Sequence, residues 1–108
     1  MDREVAERVM GWHLEFREGL GRIAWSSPDN SYEAYPDDWL PSTDIKAAFQ
    51  VVEKMGEKGW KLGIKPFVVS GYGVFFHRES HLASSTCAKL SELPEAICKA
   101  ALEVVNNG

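Results

Sequence analysis

Trp39-Leu40-Pro41-Ser42-Thr43-Asp44-Ile45, running on through Lys46-Ala47-Ala48-Phe49-Gln50-Val51-Val52-Glu53-Lys54-Met55, is the stretch whose reading decides the fold. Ser42 or Thr43 offers a side-chain oxygen to the free amides of a starting helix, and Asp44 puts negative charge at the positive end of its dipole. Ile45, Ala48, Phe49, Val52 and Met55 recur at helical spacing as one apolar stripe. Lys46, Gln50, Glu53, Lys54 and Glu57 fall on the wet side. Gly59 is a natural stop. The period then changes from helical to two. Trp60, Leu62 and Ile64 alternate with Lys61, Gly63 and Lys65, which is the pattern of a half-buried strand.

Downstream, Pro66 cannot donate to a ladder and marks an edge or a bulge. Ser70-Gly71-Tyr72-Gly73 reads as a turn, Val74 to Arg78 as a returning strand, and Glu79-Ser80 as another turn. Residues 81–88, mostly small, form a weaker third strand. A last helix runs from Pro94, well placed in a first turn, to Val105, with Ile97, Ala100, Ala101, Val104 and Val105 on its buried side. From residue 43 onward the order is helix, strand, strand, strand, helix, and short connections favour antiparallel neighbours. This predicts an α+β fold with an antiparallel sheet of three to four strands packed by helices, in one domain over 1–108.

Upstream, Val5, Val9 and Trp12 predict a first helix over residues 3–12 that ends or bends at Gly11. Residues 13–22 carry mixed signals, with a turn at Gly19-Leu20-Gly21. Within 23–41, strand-like Ile23-Ala24-Trp25 and Tyr32-Glu33-Ala34-Tyr35 flank a run of turn residues. The segment reads as a ragged hairpin or a long loop, with the loop favoured.

The chain has 108 residues, 44% of them hydrophobic and 26% charged, which is ordinary for a globular protein and argues against wholesale disorder. No internal repeat or low-complexity run is present. Apolar runs such as Phe67-Val68-Val69 are too short to span a bilayer, and acidic Met1-Asp2-Arg3-Glu4 does not open like a signal peptide, so a cytoplasmic protein is expected. Cys87 and Cys98 read as reduced, partly buried thiols. The net charge of −4 is uneven: residues 1–44 hold ten acids against four bases, and residues 45–108 six against eight. No Lys or Arg stands between Ile23 and Ile45, a segment that repels phosphate backbones and suits a basic partner or a cation.

Val9-Met10-Gly11-Trp12, then Trp39 with Pro41-Ser42-Thr43-Asp44-Ile45, then Ala47, Ala48, Val51, Val52, Glu53 and Lys54, and finally Pro94-Glu95-Ala96-Ile97-Cys98-Lys99-Ala100-Ala101-Leu102 together resemble the phage ABA sandwich domain family. Phe49 stands where that pattern has a tryptophan. The resemblance implies an α-β-α layered sandwich and a phage or prophage origin. It implies no activity and no catalytic residues.

Among the chemistry-bearing residues, His77, His81 and Cys87 form the one metal-like set, without an evident fourth ligand or paired zinc spacing. A Cys-His nucleophile would need Cys87 or Cys98 beside His13, His77 or His81, with nothing to lower the thiol's pKa. Asp29, Glu33, Asp37, Asp38 and Asp44 could serve acid–base chemistry only if a cleft held two of them in different environments. Gly71-Tyr72-Gly73 is a hairpin turn and not a dinucleotide fingerprint. The strand and helix order also matches double-stranded-RNA-binding domains, but the last helix begins Pro94-Glu95 with Lys99 alone, short of the basic cluster that RNA needs.

The aromatic set Trp25, Tyr32, Tyr35 and Trp39, interleaved with Asp37 and Asp38, has two readings. It either lines a ligand or partner surface or folds back to complete a small core. The expectation is a non-enzymatic binding or accessory protein that engages a host protein or a small molecule, with no cofactor, nucleic acid or membrane, and as an oligomer. A metal-dependent or acid–base hydrolase and an RNA-binding module are the alternatives.

Overall fold

In a computed structural model, which describes residues 1–19, 21–28, 33–66 and 71–107, the chain opens with a short helix, Asp2–Glu4, that widens into a π-helical turn over Val5–Val9. Together these form α1. Met10 N–H reaches the Val5 carbonyl at 3.0 Å and Trp12 N–H the Ala6 carbonyl at 2.9 Å, so the widened spacing continues past the element's end. Val5, Ala6 and Val9 are buried, as their spacing requires.

Residues 13–34 depart from the sequence expectation. Where mixed signals and a loop were expected, the chain forms an antiparallel sheet of β1 (His13–Arg17), β2 (Arg22–Ser26) and β3 (Glu33–Ala34), in that order. Leu14 lies opposite Trp25, Phe16 opposite Ile23, and Trp25 opposite Ala34. Period-two alternation is present, Leu14 and Phe16 against Glu15 and Arg17, but the wet apolar face hides the usual contrast between inside and outside.

Helix α2 spans Ile45–Glu57. Its N-cap is Asp44 itself, whose carboxylate accepts the Lys46 amide at 3.1 Å. The expected capper Ser42 instead gives its amide and its hydroxyl to the Asp2 carboxylate at 2.8 and 3.0 Å, tying the chain's start to the entry of α2. Thr43 donates back to the Leu40 carbonyl. The buried stripe is Ala47, Ala48, Val51 and Met55, while Ile45 and Phe49 are exposed. The stripe is thus rotated from the expected one. Two alanines let α2 come close to its neighbours and leave the bulkier Ile45 and Phe49 at the margin.

A second antiparallel sheet follows, ordered β4 (Lys61–Pro66), β5 (Tyr72–Arg78), β6 (His81–Cys87). Its register pairs Leu62 with Phe76 and Phe76 with Ala83. A 3₁₀ turn, Leu90–Glu92, leads into α3, Leu93–Asn107. The Glu92 carboxylate closes this entry by accepting the Ala88 and Lys89 amides at 3.1 and 3.0 Å.

The helix α3 packs on β5 and β6, and α2 packs on α3 and β4. The α1 turn sits against both helices. One core cluster therefore joins Val5, Val51, Met55, Val74, Phe76, Ile97, Cys98 and Ala101. The architecture is α+β, with two antiparallel sheets and three helices; the single sheet of three to four strands expected from sequence is two sheets of three. Phe75 and His77, half-buried, and exposed Leu82, Ser84 and Thr86 occupy the opposite face of the second sheet. The distal half of the β1–β2 hairpin stands away from the helices, in a molecule measuring 52 × 28 × 18 Å.

Candidate functional site

Of the six residues singled out in sequence, the five that are described divide between core and surface. Trp25 and Trp39 are only 4% and 5% exposed and belong to the core cluster. The Trp39 ring packs on Trp12 with centroids 4.6 Å apart, tilted by 58°, and its indole N–H donates to Gln50 Oε1 at 2.6 Å. A tryptophan buried with its polar atom satisfied is an anchor. Tyr35 is half-buried beneath Arg22, whose guanidinium lies 3.9 Å from the ring centroid. The same guanidinium faces Asp37 at 3.7 Å. Asp37 and Asp38 are exposed. Backbone bonds from the Asp38 and Trp39 amides to the Tyr35 carbonyl, 3.0 and 2.9 Å, hold this corner as a tight turn. Tyr32 lies outside the described residues.

Beside this corner is a feature the sequence reading missed. Leu14, Phe16 and Ile23 share one face of the first sheet with Trp25 and Ala34, because residues directly opposite in an antiparallel pair point to the same side. Trp25 and Ala34 pack into the core. Phe16 is 60% and Ile23 51% exposed, and Leu14 is exposed too. An apolar stripe therefore leaves the core and continues outward along the hairpin, while Arg22, opposite Arg17, lies on the other face of the sheet with Tyr35 and Asp37 beside it. The signal in sequence was Leu14-x-Phe16 matched by Ile23-x-Trp25 across a glycine turn.

The metal and nucleophile sets do not assemble. His77 pairs with Leu82 on the outer face of the second sheet, whereas His81, opposite Arg78, and Cys87, opposite Tyr72, face the helix side. Among the described residues, no three His, Cys, Asp or Glu side chains are grouped to hold a metal ion. Both cysteines are free and buried. Burial, reinforced by the Asp2 carboxylate, pushes the Cys98 thiol up to about 12, and burial followed by Glu92 raises Cys87. Neither supplies a thiolate at neutral pH.

A cleft of about 330 Å³ opens on the other side of the molecule, lined by Trp60, Arg78, His81, Leu82, Ala83, Glu103 and Val104. Arg78 lies over the Trp60 ring, 4.8 Å from its centroid, and donates to the Lys58 carbonyl at 3.2 Å. The two-residue connection Glu79-Ser80 joins β5 to β6, and Glu79 has φ +55°, the left-handed region that side chains disfavour.

No helix among the described residues is long and apolar enough to cross a membrane. Neither a curated protein nor a solved structure matches the chain. A family model does match, over residues 3–102, spanning the α1 turn, both sheets, α2 and most of α3. The motifs at 9–12, 39–54 and 94–102 lie within that span, and the chain belongs to the phage ABA sandwich domain family.

Proposed function

We propose that this phage-family chain is a non-enzymatic binding protein of the host cytoplasm whose contact surface is the first sheet. The observation that carries the reading is the wet apolar stripe, with Phe16 60% exposed directly opposite Ile23. An exposed apolar patch continuous with a core, bordered by polar groups, is the form taken by protein interaction surfaces. Trp25 anchors this face in the core that also holds Trp39, and Tyr35, Asp37 and Asp38 form a neighbouring acidic corner reached by Arg22. The carboxylates Asp37 and Asp38 favour a protein partner that presents apolar side chains flanked by lysine or arginine, and they disfavour nucleic acid. The α-β-α layering implied by the family is part of the same reading, supported on one side by α2 and α3 packed on the second sheet.

A photoreactive amino acid at position 16, in the full chain inside the host cell, tests this. The expected result is one discrete adduct with a different protein, reduced about tenfold by Ile23→Asp as hot-spot energetics require. The same label at exposed Lys46 should give none of it. No adduct from position 16, or one indifferent to Ile23→Asp, would overturn the proposal. An adduct of two copies of this chain would replace the partner by self-association and overturn it as well.

A further inference from the structure

The cleft between the β5–β6 turn and the C-terminal part of α3 presents opposite charges that do not neutralise each other. Arg78 and His81 line it from the sheet and Glu103 from the helix, and among the described residues no ion pair joins Glu103 to either. The reason is local. Stacking on Trp60 and the bond to the Lys58 carbonyl hold the Arg78 guanidinium in place. Its side chain therefore does not swing across to Glu103. The tight turn, kept at φ +55° on Glu79, fixes Arg78 and His81 directly opposite each other. A non-glycine residue in that region is strained, and surrounding structure must hold it there. Between the charges lie Ala83, Val104 and Trp60, an apolar floor on the helix side of the sheet.

We propose that this cleft binds a small zwitterion, an α-amino acid with an apolar side chain. Its carboxylate meets the preorganised guanidinium of Arg78, which can bond two oxygens at once. The ammonium group meets Glu103, and the side chain covers the apolar floor. A volume of about 330 Å³ is at the small end for ligand sites and accommodates an amino acid. Arg78 and Glu103 are both exposed, so water competes for each charge and affinity is modest, with Kd about 1 mM. This site is on a different element set from the proposed protein-contact face and stands or falls separately.

The test is an amide and indole NMR titration of the full chain with L-leucine. Saturable shifts are expected at the Trp60 indole and at His81 and Ala83, with Kd about 1 mM. N-acetyl-L-leucine, which lacks the ammonium, and L-leucinamide, which lacks the carboxylate, should each bind at least about tenfold more weakly. Arg78→Gln risks loosening the turn, so Glu103→Gln is the informative variant. It should keep the parent melting temperature, weaken L-leucine about tenfold and abolish the discrimination against N-acetyl-L-leucine. Absence of saturable shifts up to about 20 mM, equal binding of the three compounds, or shifts centred away from Trp60 would overturn the proposal.

Discussion

Cys98 shows how a single buried atom couples the core to solution conditions. The thiol is fully buried on α3, and its pKa is pushed from 9.0 up to about 12. The unfolded chain therefore releases this proton before the folded one does. Below pH 9 the burial carries no ionisation penalty; between pH 9 and 12 the unfolded state gains by ionising, so stability falls as pH rises. Each pH unit in that window costs up to about 1.4 kcal/mol. Urea titrations should show the parent losing about 2 kcal/mol more than Cys98→Ala between pH 9 and 11. Parallel losses in the two proteins would show that the thiol ionises freely. At the same scale, the four aromatic candidates looked alike in sequence because a ring's burial is decided by what packs on it. Trp39 is inside, met by Trp12 and Gln50, whereas Tyr35 is half-buried with the Arg22 guanidinium over its ring.

At the scale of elements, the three strands from Lys61 to Cys87 and the two long helices were readable because period and punctuation agree. Gly59, Glu79-Ser80 and Pro94 fall at or beside the boundaries, whereas of the turn expected at Ser70-Gly71-Tyr72-Gly73, Ser70 lies outside the described residues and Tyr72 and Gly73 already belong to β5. The phase of α2 was not readable, since Ile45 and Phe49 are more apolar than the alanines that are actually buried. Nor does anything in Val5–Val9 mark a π-helical turn, which packs against α2 and α3. The hairpin β1–β2 was missed because its apolar face meets water. The cap of α2 gives a test at this scale. Asp44→Ala removes the acceptor for the Lys46 amide and should cost about 1 kcal/mol in urea unfolding, whereas Thr43→Ala should change stability by less than about 0.5 kcal/mol. The reverse order would put the cap at Thr43.

For the whole molecule, the first sheet is divided along its length. Trp25 and Ala34 root it in the core, and Leu14, Phe16 and Ile23 continue the same face into solvent. A face needed only for folding would end where the core ends; this one extends past it through Phe16 and Ile23. The most direct measurement is the unfolding free energy of the double variant Phe16→Thr/Ile23→Thr, which keeps strand propensity and adds no charge. Side chains that are mostly exposed should leave it within about 1 kcal/mol of the parent. A loss of about 3 kcal/mol or more would place both residues in the core and contradict a spare contact surface.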